Sequence, residues 1–239
     1  MTNENWQMIY GKSLPLLGCR LAACSTTMYL SPTMESSVDQ TINESSADPN
    51  PINQFRRWFD QARAAKIPLA EAITLATATV DGKPSARMVL LKQVDDEGFV
   101  FYTNYRSRKS RELDANPFAA LVFYWQKLDY QVRVEGVVAR VTAAESDEYF
   151  ATRPRESQLG AHASPQSDVV SDRAFLEERY AELEEMYSGA DVPRPEHWGG
   201  YRLKPDRIEF WKSRVGRLHD RLLYERQPDG SWLRTRLAP

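Results

Sequence analysis

At 239 residues, 42% of them hydrophobic and 11% aromatic, the chain is long enough to bury a substantial core. Its formal net charge of -2 and pI near 6.0 exclude a global attraction to nucleic acid or anionic lipid, so any anion must be held by local clusters of Lys and Arg. No apolar run of about 18 residues is present to span a membrane. The only two cysteines, Cys19 and Cys24, lie near the N-terminus, which rules out a disulfide framework and suits a cytoplasmic protein. The three histidines (His162, His197 and His219) are far apart, and no metal centre is expected.

Residues 1 to about 48 are polar and aperiodic, with runs such as Cys24-Ser25-Thr26-Thr27 and Glu44-Ser45-Ser46. They predict a disordered N-terminal arm, followed by a single domain over 49–239. Leu21-Ala22-Ala23-Cys24 has the form of a lipidation box, but Arg20 interrupts the apolar stretch that such a signal needs and Pro15 shortens what remains. Export is therefore not expected, and Met28 or Met34 are alternative starts. Asn50-Pro51 then opens a helix, Asn as N-cap and Pro at the first position, with Ile52, Phe55, Trp58, Phe59 and Ala62 on one face.

From Ile73 the pattern changes to a period of two. Strands are predicted at 73–80, 85–94, 99–104, 118–125, 130–142, 201–203, 207–212, 219–225 and 232–236, with Asp81-Gly82, Glu97-Gly98 and Asp229-Gly230 as tight turns. A short helix is predicted at 107–115, and a longer helical stretch at 144–187 that breaks near Pro154 and Pro165. Strands this closely spaced argue for a mainly β (α+β) fold, an antiparallel barrel with peripheral helices.

Four clusters carry chemistry. Arg87-Met88-Val89-Leu90-Leu91-Lys92 is apolar on both faces, which taken alone predicts a core strand buried between two layers, with its charges snorkelling from the ends. After Tyr102-Thr103-Asn104, Ser107 is placed to cap a helix whose first turn holds Arg108 and Lys109; cations there oppose the helix dipole unless an anion sits on them. The same region lacks the aromatic pattern of an RNA-binding surface, and no nucleic-acid partner is expected. Tyr149 and Arg153 share a helical face that Pro154 ends, and Ser157 is placed to cap the next turn, so two hydroxyls and a guanidinium can converge on one phosphate; an ordinary capped helix break reads equally well. Finally, Ile208-Glu209-Phe210-Trp211 alternates as a strand, breaks at Gly216, and is followed by Arg217-Leu218-His219-Asp220-Arg221, a concentration of cations beside an imidazole that suits a flat, anionic, proton-exchanging ligand. Gln131 and Gln166-Ser167 add neutral donors and acceptors. Several anion sites with no nucleophile constellation point to a phosphorylated cofactor meeting a phosphorylated substrate.

In order and spacing, these stretches, together with Arg133 to Gly136, Arg153-Pro154-Arg155, Pro165-Gln166-Ser167 and Trp198-Gly199-Gly200, resemble the pyridoxamine (pyridoxine) 5'-phosphate oxidases, from about Asp48 to the terminal Arg236-Leu237-Ala238-Pro239. The resemblance implies an FMN-binding split β-barrel, a homodimer with FMN at the subunit interface, and oxidation of pyridoxamine or pyridoxine 5'-phosphate to pyridoxal 5'-phosphate with O2 reduced to H2O2. It implies FMN contacts at Arg87, Lys92, Tyr102, Thr103, Arg108, Lys109, Gln131, Gln166, Ser167, Trp211 and Arg221. Substrate contacts are implied at Lys92, Tyr149, Arg153, Ser157, Arg217 and His219, with Arg217 and His219 as the catalytic pair. Two features depart from the family pattern. The arm has only Arg20 and no Arg-x-x-Tyr pairing to fold over the substrate, and Lys212 follows Trp211 where Gln, His or Gly is usual.

Overall fold

The computed structural model describes residues 41–239. The expectations for the first forty residues, including the lipidation box and the alternative starts, lie outside the described residues. Residues 41–48, assigned to the arm from composition, pack onto the body instead. Ile42 and Ala47 are buried, Asn43 closes a turn through its side chain, and the Tyr224 hydroxyl donates to the Asp48 carbonyl at 2.7 Å.

Helix α1 (Pro51–Ala64) starts as expected: the Asn50 side chain accepts from the Ile52 amide at 2.8 Å, and Pro51 loses no hydrogen bond at the first position. Its apolar face lies against the sheet. Phe55 is fully buried with ring centroids 4.9 Å from Phe99 and 4.8 Å from Phe123, and Trp58 stacks on Tyr130 at 3.9 Å.

The strands are β1 (Ala72–Ala78), β2 (Pro84–Leu90), β3 (Gln93–Asp95), β4 (Gly98–Asn104), β5 (Phe118–Trp125), β6 (Tyr130–Arg140), β7 (Trp198–Lys212), β8 (Asp220–Arg226) and β9 (Trp232–Arg236). All pair antiparallel in one curled sheet, in the order β2-β1-β5-β6-β7-β4-β3. β7 is the strand on which the sheet divides. Along one edge it pairs with β6; along the other it pairs first with β4, from Trp198 to Leu203, and then with β8, from Arg207 to Lys212. The sequence predicts two strands here, 201–203 and 207–212; Pro205, which cannot donate to a ladder, lies between them. The structure keeps β7 whole by a bulge at Glu135/Gly136 opposite Pro205, which leaves Asp206 unmatched and bends the strand.

Helix α2 (Arg108–Ala115) lies between β4 and β5; α3 (Ala143–Ala151), α4 (Arg155–Ala163) and α5 (Arg173–Met186) fill the excursion between β6 and β7. The predicted break at Pro154 is present, and the second falls after Ala163. The β2 expectation needs correction in two respects. The strand ends at Leu90, with Leu91 and Lys92 turning into β3, and it is not buried between two layers: it edges the sheet, with Met88 60% and Leu90 38% exposed. Among the described residues nothing covers that face.

Candidate active site

A cavity of about 580 Å³ opens where the edge of β2, the end of β4, the start of α2 and the α3–α4 turn meet. Lys92, Tyr102, Thr103, Lys109, Tyr149, Arg153, Ser157 and Gln166 line it. Met88, Leu90 and Trp198 supply apolar wall.

Lys109 is the most constrained of these. It is 8% exposed, and its ammonium donates to Thr103 Oγ1 at 3.0 Å, Ser107 Oγ at 3.1 Å and Gln166 Oε1 at 3.0 Å, all neutral acceptors. Burial, and after it the nearby Arg87 charge, pull its pKa down to about 8. Ser107 stands at the N-cap position of α2 but makes no side-chain capping bond; its hydroxyl instead accepts from Lys109 and shares a bond with Ser110 Oγ. Lys92, Lys109 and Arg153 have no carboxylate partner among the described residues. Arg153 Nη1 is buried with no hydrogen-bond acceptor, and burial pulls the guanidinium below its usual pKa. Cations held in a cavity whose described lining has no acid, one with an orphaned donor, are suited to hold an anion. Tyr102 remains a neutral hydroxyl, since burial first and the Glu145 charge second push it up to about 12.

Arg87 and Arg108, expected with Lys109 among the cofactor contacts, do not line the cavity themselves. Both pair with Glu112, at 3.2 and 2.9 Å. Glu112 is 6% exposed and also accepts from Thr77 and Ser85. Burial raises its pKa, but the bonds from Ser85, Thr77 and Arg108 outweigh that and hold it at about 2. Sequence reading missed Glu112; its one local signal is the four-residue spacing from Arg108. Ser157 is not a cap either, because Pro154 is the N-cap of α4 and Ser157 sits within the first turn. Ser167 adjoins the cavity through Gln166, with φ of 78°.

The remaining predicted residues gather elsewhere. Gln131 on β6 is paired with Trp211 on β7, which is paired with Arg221 on β8, so the three sit side by side on one face of the sheet. It is the outer face, opposite the buried Val132, Phe210 and Leu222. Exposed Tyr124 continues the row on β5. Arg221 is braced by Glu209 at 2.7 Å. His219 lies 4.6 Å from the Trp211 ring, and its Nδ1 accepts the Arg214 amide at 3.1 Å. A neutral imidazole so held carries its proton on Nε2, as a donor. Arg217 is exposed, with a left-handed φ of 62°. Asp220 is occupied by Arg214 at 2.7 Å and Arg236 at 3.1 Å, a bracing role. Lys212 lies over the Tyr130 ring at 5.5 Å.

None of Gln131, Trp211, Arg217, His219 and Arg221 lines the cavity. Tyr102 pairs with Gly200 and Gln131 with Trp211, eleven positions further along β7, roughly 36 Å of extended strand. The predicted residues thus fall in two separated groups, candidate half-sites, both toward the outside of the sheet.

Comparison with known proteins matches residues 59–187 to the family described as pyridoxamine 5'-phosphate oxidase, and residues 198–239 to the pyridoxine 5'-phosphate oxidase C-terminal dimerisation region. A pyridoxine/pyridoxamine 5'-phosphate oxidase of Rubrobacter xylanophilus is 60% identical over 198 residues, covering 83% of this chain and 91% of that protein. One from Ralstonia nicotianae is 58% identical over 199 residues, covering 83% and 93%. Among solved structures, PhzG from Burkholderia lata 383, in complex with tetrahydrophenazine-1-carboxylic acid, superposes with a TM-score of 0.80 at 36% identity, over 85% of this chain and 100% of that one. With a family match over more than half the chain and relatives this close across most of it, the chain belongs to the pyridoxamine 5'-phosphate oxidase family.

Proposed function

We propose that the protein is an FMN-dependent oxidase of the cytoplasm that converts pyridoxamine 5'-phosphate or pyridoxine 5'-phosphate to pyridoxal 5'-phosphate, with O2 reduced to H2O2. The observation that carries this reading is the trio Lys92, Lys109 and Arg153, cations gathered in one cavity with no carboxylate among its described lining residues. They fit two phosphate groups, one on the cofactor and one on the substrate, and the identity to the named relatives supports the same chemistry.

Lys109, with Thr103 and Gln166 around it, is suited to the FMN phosphate, and Arg87 and Arg108 stand behind it, bridged by Glu112. Gln131, Trp211 and Arg221 face outward on the other half-site and would meet the flavin from a second copy, with FMN at the homodimer interface. The separation of the two half-sites along β7 supports that arrangement. When bound, the flavin supplies a two-electron acceptor that dioxygen can reoxidise.

The residues of the chain do the rest. Lys92, Tyr149, Arg153 and Ser157 hold the substrate phosphate, away from the reacting carbon, so that binding energy becomes alignment. Arg217 and His219, from the facing copy, lie against the pyridine ring and its 3-hydroxyl and stabilise the charge that develops there. His219 does so as an Nε2–H donor, because its Nδ1 is already engaged.

Peroxide release from pyridoxamine 5'-phosphate, by flavin-loaded protein with no pyridine nucleotide added, tests the reading. Protein that purifies colourless and does not take up FMN overturns it. So does turnover of a tetrahydrophenazine carboxylate in place of the phosphate ester.

A further inference from the structure

Trp198-Gly199-Gly200 begins β7 at the wall of the cavity, and the proposed chemistry assigns it no task. Around it the aromatic rings are nearly parallel. Tyr102 stacks with Tyr149 at 4.0 Å, and Trp198 lies 5.4 Å from Tyr102 with 10° between the planes. The Arg153 guanidinium sits over the Trp198 ring, 4.5 Å from its centroid, with the Phe150 ring at 5.4 Å. Trp198 is only 5% exposed, packed with Phe150, Leu159 and Val192, so its plane is locked by the core.

The two glycines make this arrangement possible by close approach. A Cβ on Gly200 would come within 2.8 Å of Tyr102 Cε1 and 2.7 Å of Val141 Cγ2, forcing the Tyr102 ring off the strand. A Cβ on Gly199 would meet the Tyr105 hydroxyl at 2.1 Å and Ser146 Oγ at 2.9 Å.

An arginine that must bind an anion needs to be held still without being neutralised. A carboxylate would hold it but cancel its charge and compete with the phosphate. An aromatic face attracts the cation through the ring quadrupole and leaves every N–H to point elsewhere. Arg153 is in that state: ring-stacked, without an acid partner among the described residues, with Nη1 buried and unpaired there.

We propose that Trp198 is a positioning residue for the substrate phosphate: its indole face aims the Arg153 guanidinium into the cavity at full charge, and Gly200 clears the strand surface so that Tyr102 can lie parallel beside it. The proposal rests on Arg153 being a ligand of the substrate phosphate. It makes the Trp-Gly-Gly stretch part of the selectivity for phosphorylated over unphosphorylated substrate.

The test compares Trp198→Leu, Trp198→Phe, Gly200→Ala and Arg153→Ala in the flavin-loaded enzyme. It reads KM and kcat with pyridoxamine 5'-phosphate, the Ki of inorganic phosphate as a competitor, FMN content and thermal midpoint. Trp198→Leu should raise KM and the phosphate Ki together by about fivefold to tenfold, with kcat and FMN content within twofold. Trp198→Phe, which keeps a weaker ring, should raise them by about twofold to threefold. Gly200→Ala should move the same two constants in the same direction. Unchanged KM and Ki in Trp198→Leu, alongside a large rise in Arg153→Ala, overturns the platform while leaving the phosphate assignment intact. No rise in Arg153→Ala overturns both. If Trp198→Leu loses its flavin or its folded midpoint, Trp198→Phe decides: a phosphate Ki raised twofold or more supports the proposal, and an unchanged Ki overturns it.

Discussion

Replacing Lys109 by methionine keeps an unbranched side chain in a site that is 8% exposed and removes only the ammonium. With its pKa drawn down to about 8 by burial and then by Arg87, Lys109 in the flavin-free protein is about 90% charged at pH 7 and about 10% charged at pH 9. A phosphate placed on it restores the usual preference for the charged form, so FMN binding must take up a proton as pH rises above 8. Affinity for FMN should therefore weaken about tenfold between pH 7 and 9. Lys109→Met should bind FMN about 10-fold to 150-fold more weakly at pH 7, from the loss of charge-assisted hydrogen bonds worth about 1.5–3 kcal/mol, and should show no such pH dependence. The flavin-free fold responds in the opposite sense. A lysine whose folded pKa lies below its unfolded value costs about 3 kcal/mol below pH 8, and stability is regained as pH rises from about 8 to 10.5. Titrating FMN into flavin-free protein, with quenching of flavin fluorescence read at each pH and constant salt, measures the first effect. Parallel pH profiles in wild type and variant, or dissociation constants within threefold at pH 7, would refute the assignment of Lys109 as a phosphate ligand.

Glu112→Gln should lower the free energy of unfolding by about 3 kcal/mol at pH 7, since the carboxyl sits at about 2 rather than 4.5; that contribution is fully present above pH 4.5 and is lost as pH falls toward 2, so urea curves of the two proteins should converge on acidification, and divergence would count against it. Tyr124→Glu places a charge on the exposed row that carries Gln131, Trp211 and Arg221; sedimentation should show loss of the dimer together with loss of bound FMN, and a dimer that keeps its flavin would argue against a shared interface. His219→Gln, whose amide can stand in for an Nε2–H donor, should retain more turnover than His219→Asn, and nitrogen NMR of the imidazole should give the Nε2–H tautomer; an Nδ1–H pattern contradicts the geometry.

Much of the fold is legible where information is local. The start of α1 follows from Asn50-Pro51, the bounds of β5 and β9 from alternation between turn residues, and the end of α3 from Pro154. The errors arise where partners are remote in sequence. Pro205 reads as the end of a strand until Gly136, some seventy positions earlier, is found opposite it in a bulge. The two apolar faces of β2 read as a buried strand because composition reports what must be covered, and among the described residues no cover lies on it.

The candidate site divides the same way. Side-chain chemistry is written into short stretches, and it marks the cations that the structure gathers at the cavity, Lys92, Lys109 and Arg153, along with the family to which the chain belongs. Whether a given cation is available to a ligand depends on which acids fold against it. Arg87 and Arg108 are bridged by Glu112, whereas Lys92, Lys109 and Arg153 meet no carboxylate among the described residues, and Arg153 is held by an indole 45 positions away. Electrostatic and stacking forces act through space, so charge state, register and the separation of the two half-sites along β7 emerge only once the sheet has closed.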